Sequence, residues 1–291
     1  MHGIGPPLTT PFTREGDLDT DRLRRLVEWV ESRGVDFLVP CGSNSEAELM
    51  TSEERARVTT VVAEEASVPV LAGTGSPGLR ETLAATERAS EAGADGALVV
   101  TPFYYDHDDE TLEAYYRDLA DESELPIYLY SVPAYTGVAL DPAVVGRLAE
   151  HPNVFGMKDS AGDLARFGRE RAATESEEFE LFVGSGGVLA HALDAGADGG
   201  VLALANVAPE ACAEVARRFR GGDPAAARRL NRRLLDLNHA ITADHGVPGL
   251  KTAMRLRDAP VGYSRSPHRE VGEDARIEIE SLVAELDDDV F

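Results

Sequence analysis

Lysine is nearly missing from this chain. Lys158 and Lys251 are the only two, against 26 arginines in 291 residues. An amine can shed its proton and attack a carbonyl, whereas a guanidinium stays charged, so a lysine kept against that bias invites a chemical reason. Cysteine is scarce too. Cys41 and Cys212 form neither a close pair nor a metal-ligand spacing, which argues against a disulfide framework and a thiolate metal site. No apolar run approaches the roughly 20 residues that span a bilayer, so no membrane partner is expected. No charged region followed by a long apolar stretch opens the chain, so a secretory signal is not expected and the expected compartment is cytoplasmic. A basic stripe is also lacking. Net charge is −24 and the pI is near 4.6. Such a field repels phosphate and excludes nucleic acid as a partner. The acids are scattered, apart from the aspartates at 287–289, as on a surface adapted to a high-salt, halophilic cytoplasm.

What is present is a repeated phrase. ESRGVDFLVP (31–40), EAGADGALVV (91–100) and DAGADGGVLAL (194–204) each read as a helix end, a glycine, a short link and an apolar strand. Gly34, Gly93 and Gly196 suit the left-handed position that closes a helix. Eight apolar runs follow this plan: 4–12, 35–41, 68–75, 96–103, 126–133, 154–160, 180–186 and 199–206. Near-continuous apolar runs fit parallel strands covered on both faces. Helical patterns lie between them. One carries Leu23, Leu26, Val27 and Val30 on a single face, and another opens with Thr51 and Glu54 in capping-box spacing. Eight such units predict an α/β fold, a (β/α)8 TIM barrel over residues 1–220. An open doubly wound sheet is the runner-up, but no GxGxxG phrase follows a strand. Further helical patterns at 208–220, 224–243, 247–257 and 270–286 predict a C-terminal helical extension, residues 221–291, packed on the barrel as core cover or as a subunit interface.

Barrel chemistry sits at the C-terminal ends of the strands. Those ends supply Thr9 and Thr10, Ser43, Asn44 and Ser45, Thr74, Tyr104 and Tyr105, Tyr130 and Ser131, Lys158 and Asp159, Ser185 and Asn206. One amine, phenols, hydroxyls and glycine amides converge there without a histidine-rich or acidic cage. Metal chemistry is thereby disfavoured, and a lysine with a phenol to move protons fits a Schiff-base enzyme. The plainer readings are a packing tyrosine at 130, a capping turn at 43–45 and rim aromatics at 104 and 105. Lys251 reads as a surface or interface cation.

The phrases PPLTTPF (6–12), GSNSE (42–46), TPFYY (101–105), YSVPAYTG (130–137), GMKDSAGD (156–163), the glycines near 184 and ALANVAPE (203–210) stand in order at the strand ends. Together they resemble the dihydrodipicolinate synthase/N-acetylneuraminate lyase family of class I, pyruvate-handling aldolases. The resemblance implies that Lys158 forms the Schiff base with a 2-keto acid, with no other cofactor. It implies that Tyr130 and Ser43 relay protons, and that Asn44 and Ser45 lie in the turn holding the carboxylate. Gly184, Ser185 and Val201 would line the pyruvate pocket. Tyr104 would complete the relay of a neighbouring subunit, in a homotetramer built as a dimer of dimers. Dihydrodipicolinate synthases usually carry an arginine where this chain has Tyr135. N-acetylneuraminate lyases usually carry acids where it has GSGG (184–187). What remains resembles 2-keto-3-deoxygluconate aldolase, cleaving that acid or its 6-phosphate to pyruvate and glyceraldehyde or its 3-phosphate. A dehydratase on a related acid, and a non-catalytic barrel that only binds a 2-keto acid, are the other readings. The run YYDHDDE (104–110) is expected to bring acid to the mouth.

Overall fold

The computed structural model describes residues 1–287, so the last two aspartates of the 287–289 run lie outside the described residues. Seven parallel strands form one sheet: β1 (Gly3–Gly5), β2 (Leu71–Gly73), β3 (Gly96–Val100), β4 (Ile127–Ser131), β5 (Val154–Asp159), β6 (Glu180–Val183) and β7 (Gly199–Val201). Their order is β1-β7-β6-β5-β4-β3-β2. The second expected run, 35–41, is not a regular strand. It closes the ring by single parallel bridges, Val39 to Pro7 on the β1 side and Leu38 to Val70 on the β2 side. Prolines explain the thinning. Pro6 and Pro7 follow β1, Pro40 ends the segment and Pro69 precedes β2, and none has an N–H to give the ladder. The remaining donors still pair across both seams, as in Val39 N–H to Pro6 O at 3.1 Å and Leu71 N–H to Leu38 O at 2.9 Å. The eight-membered barrel is therefore complete.

The three marker glycines hold φ of +83°, +91° and +95°, so the repeated phrase does end helices in the left-handed region. The helix Thr20–Glu31 buries Leu23, Leu26, Val27 and Val30. Thr51 and Glu54 form the reciprocal cap of the helix Ser52–Glu65. Inside the barrel, Phe37, Val39, Leu71, Leu98, Tyr128, Tyr130, Phe182 and Val201 make one closed cluster. A larger apolar layer lies between strands and helices.

The extension is helical, as expected, but not smooth. Pro224–Arg233 stops at Leu234, resumes as Leu235–His239 and widens into a π-helical turn at Ala240–Asp244. Gly246–Leu256 and Glu273–Asp287 follow. Among the described residues no helix is long and apolar enough to cross a membrane.

Candidate active site

Strand register brings the amine and the phenol together. Tyr130 on β4 pairs directly with Lys158 on β5. Both side chains point inward, and Lys158 is 4 % exposed. Its Nζ lies 4.1 Å from the centroid of the Tyr130 ring, a cation–π distance. The Tyr130 hydroxyl lies 3.4 Å from Ser43 Oγ. Burial alone would push this phenol up. The Lys158 ammonium, with hydrogen bonds from Ser43, Lys158 and Ser160, outweighs burial and holds it below its ordinary value. A phenol so placed can pass a proton to and from a group on Lys158.

These groups open on a cavity of about 420 Å³. Ser43, Asn44, Tyr130, Lys158, Gly184 and Ser185 line it, so most expected site residues do converge. Gly184 is required by a neighbour: a Cβ there would stand 1.8 Å from Ser160 Oγ. Ser43 and Asn44 lie in a short 3-10 turn, Ser43–Ser45, flanked by Cys41 and Glu46, both at φ 58°. Left-handed non-glycine residues on both sides mark a turn fixed by its surroundings.

The chain matches the dihydrodipicolinate synthetase family over residues 1–286. It belongs to that family. It is 35% identical to a 4-hydroxy-tetrahydrodipicolinate synthase of Methanothrix thermoacetophila over 288 residues, covering 99% of this chain and 98% of the relative. It is 37% identical to an uncharacterised DapA-like lyase of Halobacterium salinarum, covering 98% and 94%. Among solved structures, YagE, a prophage protein of this family from E. coli K12 in complex with pyruvate, superposes with a TM-score of 0.94 at 31% identity, covering 98% of each chain. Dihydrodipicolinate synthetase family enzymes are lyases of the class I aldolase type, working through a lysine Schiff base without a separate cofactor, and this chain is such a lyase.

Several expectations placed in this family member need correcting. Ser45 does not face the cavity. Its hydroxyl accepts from Gly42 N–H at 3.1 Å and donates to Leu8 O, so it braces the turn from behind. Val201 lies in the barrel interior and not among the cavity-lining residues. Tyr104, expected to act in a neighbouring subunit and so not among the corrections, stands apart from its own chain's cavity, 86 % exposed, edge-on to Tyr105 at 5.0 Å and at φ 82°. The acids of 106–110 do not line the cavity either. Asp108 instead caps the helix Asp109–Glu122 through Thr111 N–H.

The largest correction concerns Lys251, which is neither a surface nor an interface cation. It is fully buried. Its Nζ donates to Thr10 O and Tyr263 O, each at 2.8 Å, and to Glu46 Oε2 at 2.5 Å. Burial pulls its ammonium down to about 8 against the opposing pull of Glu46. The pair locks the residue that ends the Ser43–Ser45 turn.

Sequence reading also missed part of the cavity wall. Ser160 lines it two positions beyond Lys158, a spacing that puts both on one strand face and could have flagged it. Asn238, Ile241, Thr242 and Val247 reach the cavity from the extension. No strand-end signal points to them.

Proposed function

We propose that this lyase condenses pyruvate, held on Lys158, with a neutral aldehyde, and so reversibly cleaves a 2-keto-3-deoxy sugar acid to pyruvate and glyceraldehyde. One observation carries the choice of aldehyde: among the described residues lining the cavity, Lys158 alone is charged. Tyr135 lines the loop side, and a phenol gives no charge-assisted fork to a second carboxylate. Nor does a distal phosphate find a cation there, so the unphosphorylated acid is favoured.

In this reading Lys158 Nζ attacks C2 of the keto acid and water leaves, forming the protonated imine. The Tyr130 oxygen, acting through Ser43, takes the proton of the C4 hydroxyl. The C3–C4 bond breaks, its electron pair passes to the enamine, and the aldehyde departs. Protonation at C3 and addition of water then release pyruvate and the free amine. The turn at Ser43 and Asn44 seats the carboxylate, with Gly184 and Ser185 on the opposite side. Tyr104, held exposed in a strained conformation, supports a contact across a subunit boundary in a homotetramer. The scattered acid, and a similar relative in Halobacterium salinarum, support a high-salt cytoplasm.

The names of the relatives support a second reading, 4-hydroxy-tetrahydrodipicolinate synthesis, in which the aldehyde carries its own amine and carboxylate. On names alone that reading is the stronger. The cavity opposes it, because the second carboxylate meets no cation. Borohydride trapping with pyruvate and peptide mapping should place the adduct on Lys158. Initial rates with glyceraldehyde against aspartate semialdehyde then separate the readings. Faster turnover of the semialdehyde would hand the assignment to the synthase.

A further inference from the structure

The far wall of the cavity comes from the extension. The helix Leu235–His239 brings Asn238 to it, and the π-helical turn Ala240–Asp244 that follows brings Ile241 and Thr242. Asn238 stands out among them. Its backbone is fully engaged: the N–H reaches Leu234 O at 2.9 Å and the carbonyl accepts Thr242 Oγ1 at 2.6 Å. Its carboxamide is not engaged. Oδ1 is buried and has no donor among the described residues. Asn238 itself is half-buried, and buried polar atoms are normally paired, so a carboxamide left without a partner at the wall of a catalytic cavity points to a ligand.

The glycines after β6 complete the arrangement. A Cβ on Gly186 would stand 2.7 Å from Asn238 Oδ1, and one on Gly187 would stand 3.5 Å from Nδ2. The carboxamide therefore fills the volume that a side chain at 186 would take, and only touches the space beside 187. The same four-residue segment, GSGG (184–187), lacks the acid that a binder of sugar hydroxyls would be expected to place there. The polar group is supplied from the extension instead.

We infer that Asn238 is the specificity-determining residue for the aldehyde half of the substrate, pairing its amide with the hydroxyls of a short, neutral polyhydroxy aldehyde. This rests on the reading of the chain as a sugar-acid lyase. An amide offers one donor and one acceptor side by side, matching adjacent hydroxyls. It offers no charge to a phosphate or carboxylate, and its oxygen disfavours both.

The test compares glyceraldehyde with propanal, which lacks both hydroxyls, as partners for pyruvate. The wild-type enzyme should prefer glyceraldehyde by about tenfold or more in kcat/KM, the discrimination expected of a site that hydrogen-bonds a hydroxyl. Asn238→Leu, of similar volume, should collapse that preference to within about twofold, mainly through KM for glyceraldehyde. Should the leucine variant unfold on thermal melting, Asn238→Ala reports the same ratio. An unchanged preference in a folded variant overturns the role of Asn238 alone. A pyruvate adduct on wild-type Lys158 without any turnover of glyceraldehyde overturns the parent reading instead.

Discussion

The two lysines are both buried, 4 % and 0 % exposed, yet they are opposites. Lys251 is saturated. An ammonium has three hydrogens, and Thr10 O, Tyr263 O and Glu46 Oε2 take all three. Lys158 faces a cavity, with a tyrosine ring beside it and a phenol in reach. Burial thus does not separate the reactive amine from the inert one. Unused coordination next to empty space does. The two are also linked, because Lys251 holds Glu46, and Glu46 ends the turn that carries Ser43.

Exchanging each lysine breaks the comparison most sharply. Lys158→Arg should lose turnover and pyruvate trapping by roughly a thousandfold or more, since the charge remains but the nucleophile is gone. Its melting temperature should stay close to wild type. Lys251→Met should do the reverse. It removes the cation on Glu46 Oε2 and leaves that buried carboxylate with the Arg265 N–H and His268 Nδ1 on Oε1, each at 2.9 Å, so the cost should be at most about 3–5 kcal/mol, read as a fall in melting temperature. Adding Glu46→Gln to that variant should recover part of the loss, because the carboxylate that has lost its lysine is removed. Recovery of nothing would mean that the pair is held for its shape alone.

A smaller effect sharpens the active side. Ser43→Ala deletes one of the hydrogen bonds that keep the Tyr130 phenol low, so its alkaline titration should move upward. Turnover should fall about tenfold, against roughly a hundredfold or more for Tyr130→Phe, in line with the weight of a positioned acid–base group. Ultraviolet difference titration reads the first and steady-state rates the second. An unmoved phenol in Ser43→Ala would remove Ser43 from the relay.

Much of this was legible in the sequence, for local reasons. Period, cap and turn chemistry act over a few residues, so Gly34, Gly93 and Gly196, the Thr51–Glu54 cap and the strand ends carrying Tyr130 and Lys158 could be read directly. The gaps are non-local or sub-residue. Lys251 finds Glu46 and Thr10 more than two hundred residues upstream, and nothing near VPGLK announces them. Asn238 reaches the cavity from the helix Leu235–His239 of the extension, more than seventy residues after Lys158, and no local pattern marks it. Ser45 shows the finest limit: a three-residue turn sends Ser43 to the cavity and Ser45 to the back. The 35–41 run reads as a barrel strand, but the prolines in and around it reduce it to bridges.

A third buried charge site, on the outer side of β5, extends the comparison to a carboxyl. Glu170, in the helix Leu164–Ala173, and Asp159, next to Lys158, are both buried around Arg166. Arg166 Nε lies 3.1 Å from Glu170 Oε1 and 3.9 Å from Asp159 Oδ2. One guanidinium serves two carboxylates, and among the described residues Asp159 Oδ2 and both Glu170 oxygens lack a hydrogen-bond donor. Burial, then the Asp159 charge, push the Glu170 carboxyl up to about 9, with Arg166 opposing. Its folded value therefore lies above the unfolded value near 4.5. Between those values the folded chain holds a proton that the unfolded chain has released. The contribution to stability is whole below about 4.5 and drains away as pH rises toward about 9. Glu170→Gln keeps a donor for Asp159 and removes the titration. Its melting temperature should exceed wild type near neutral and alkaline pH, and the two should converge in acid. Parallel pH profiles of the two proteins would show that Glu170 is ionised in the fold, with its charge met by Arg166 as fully as Lys251 is met by Glu46.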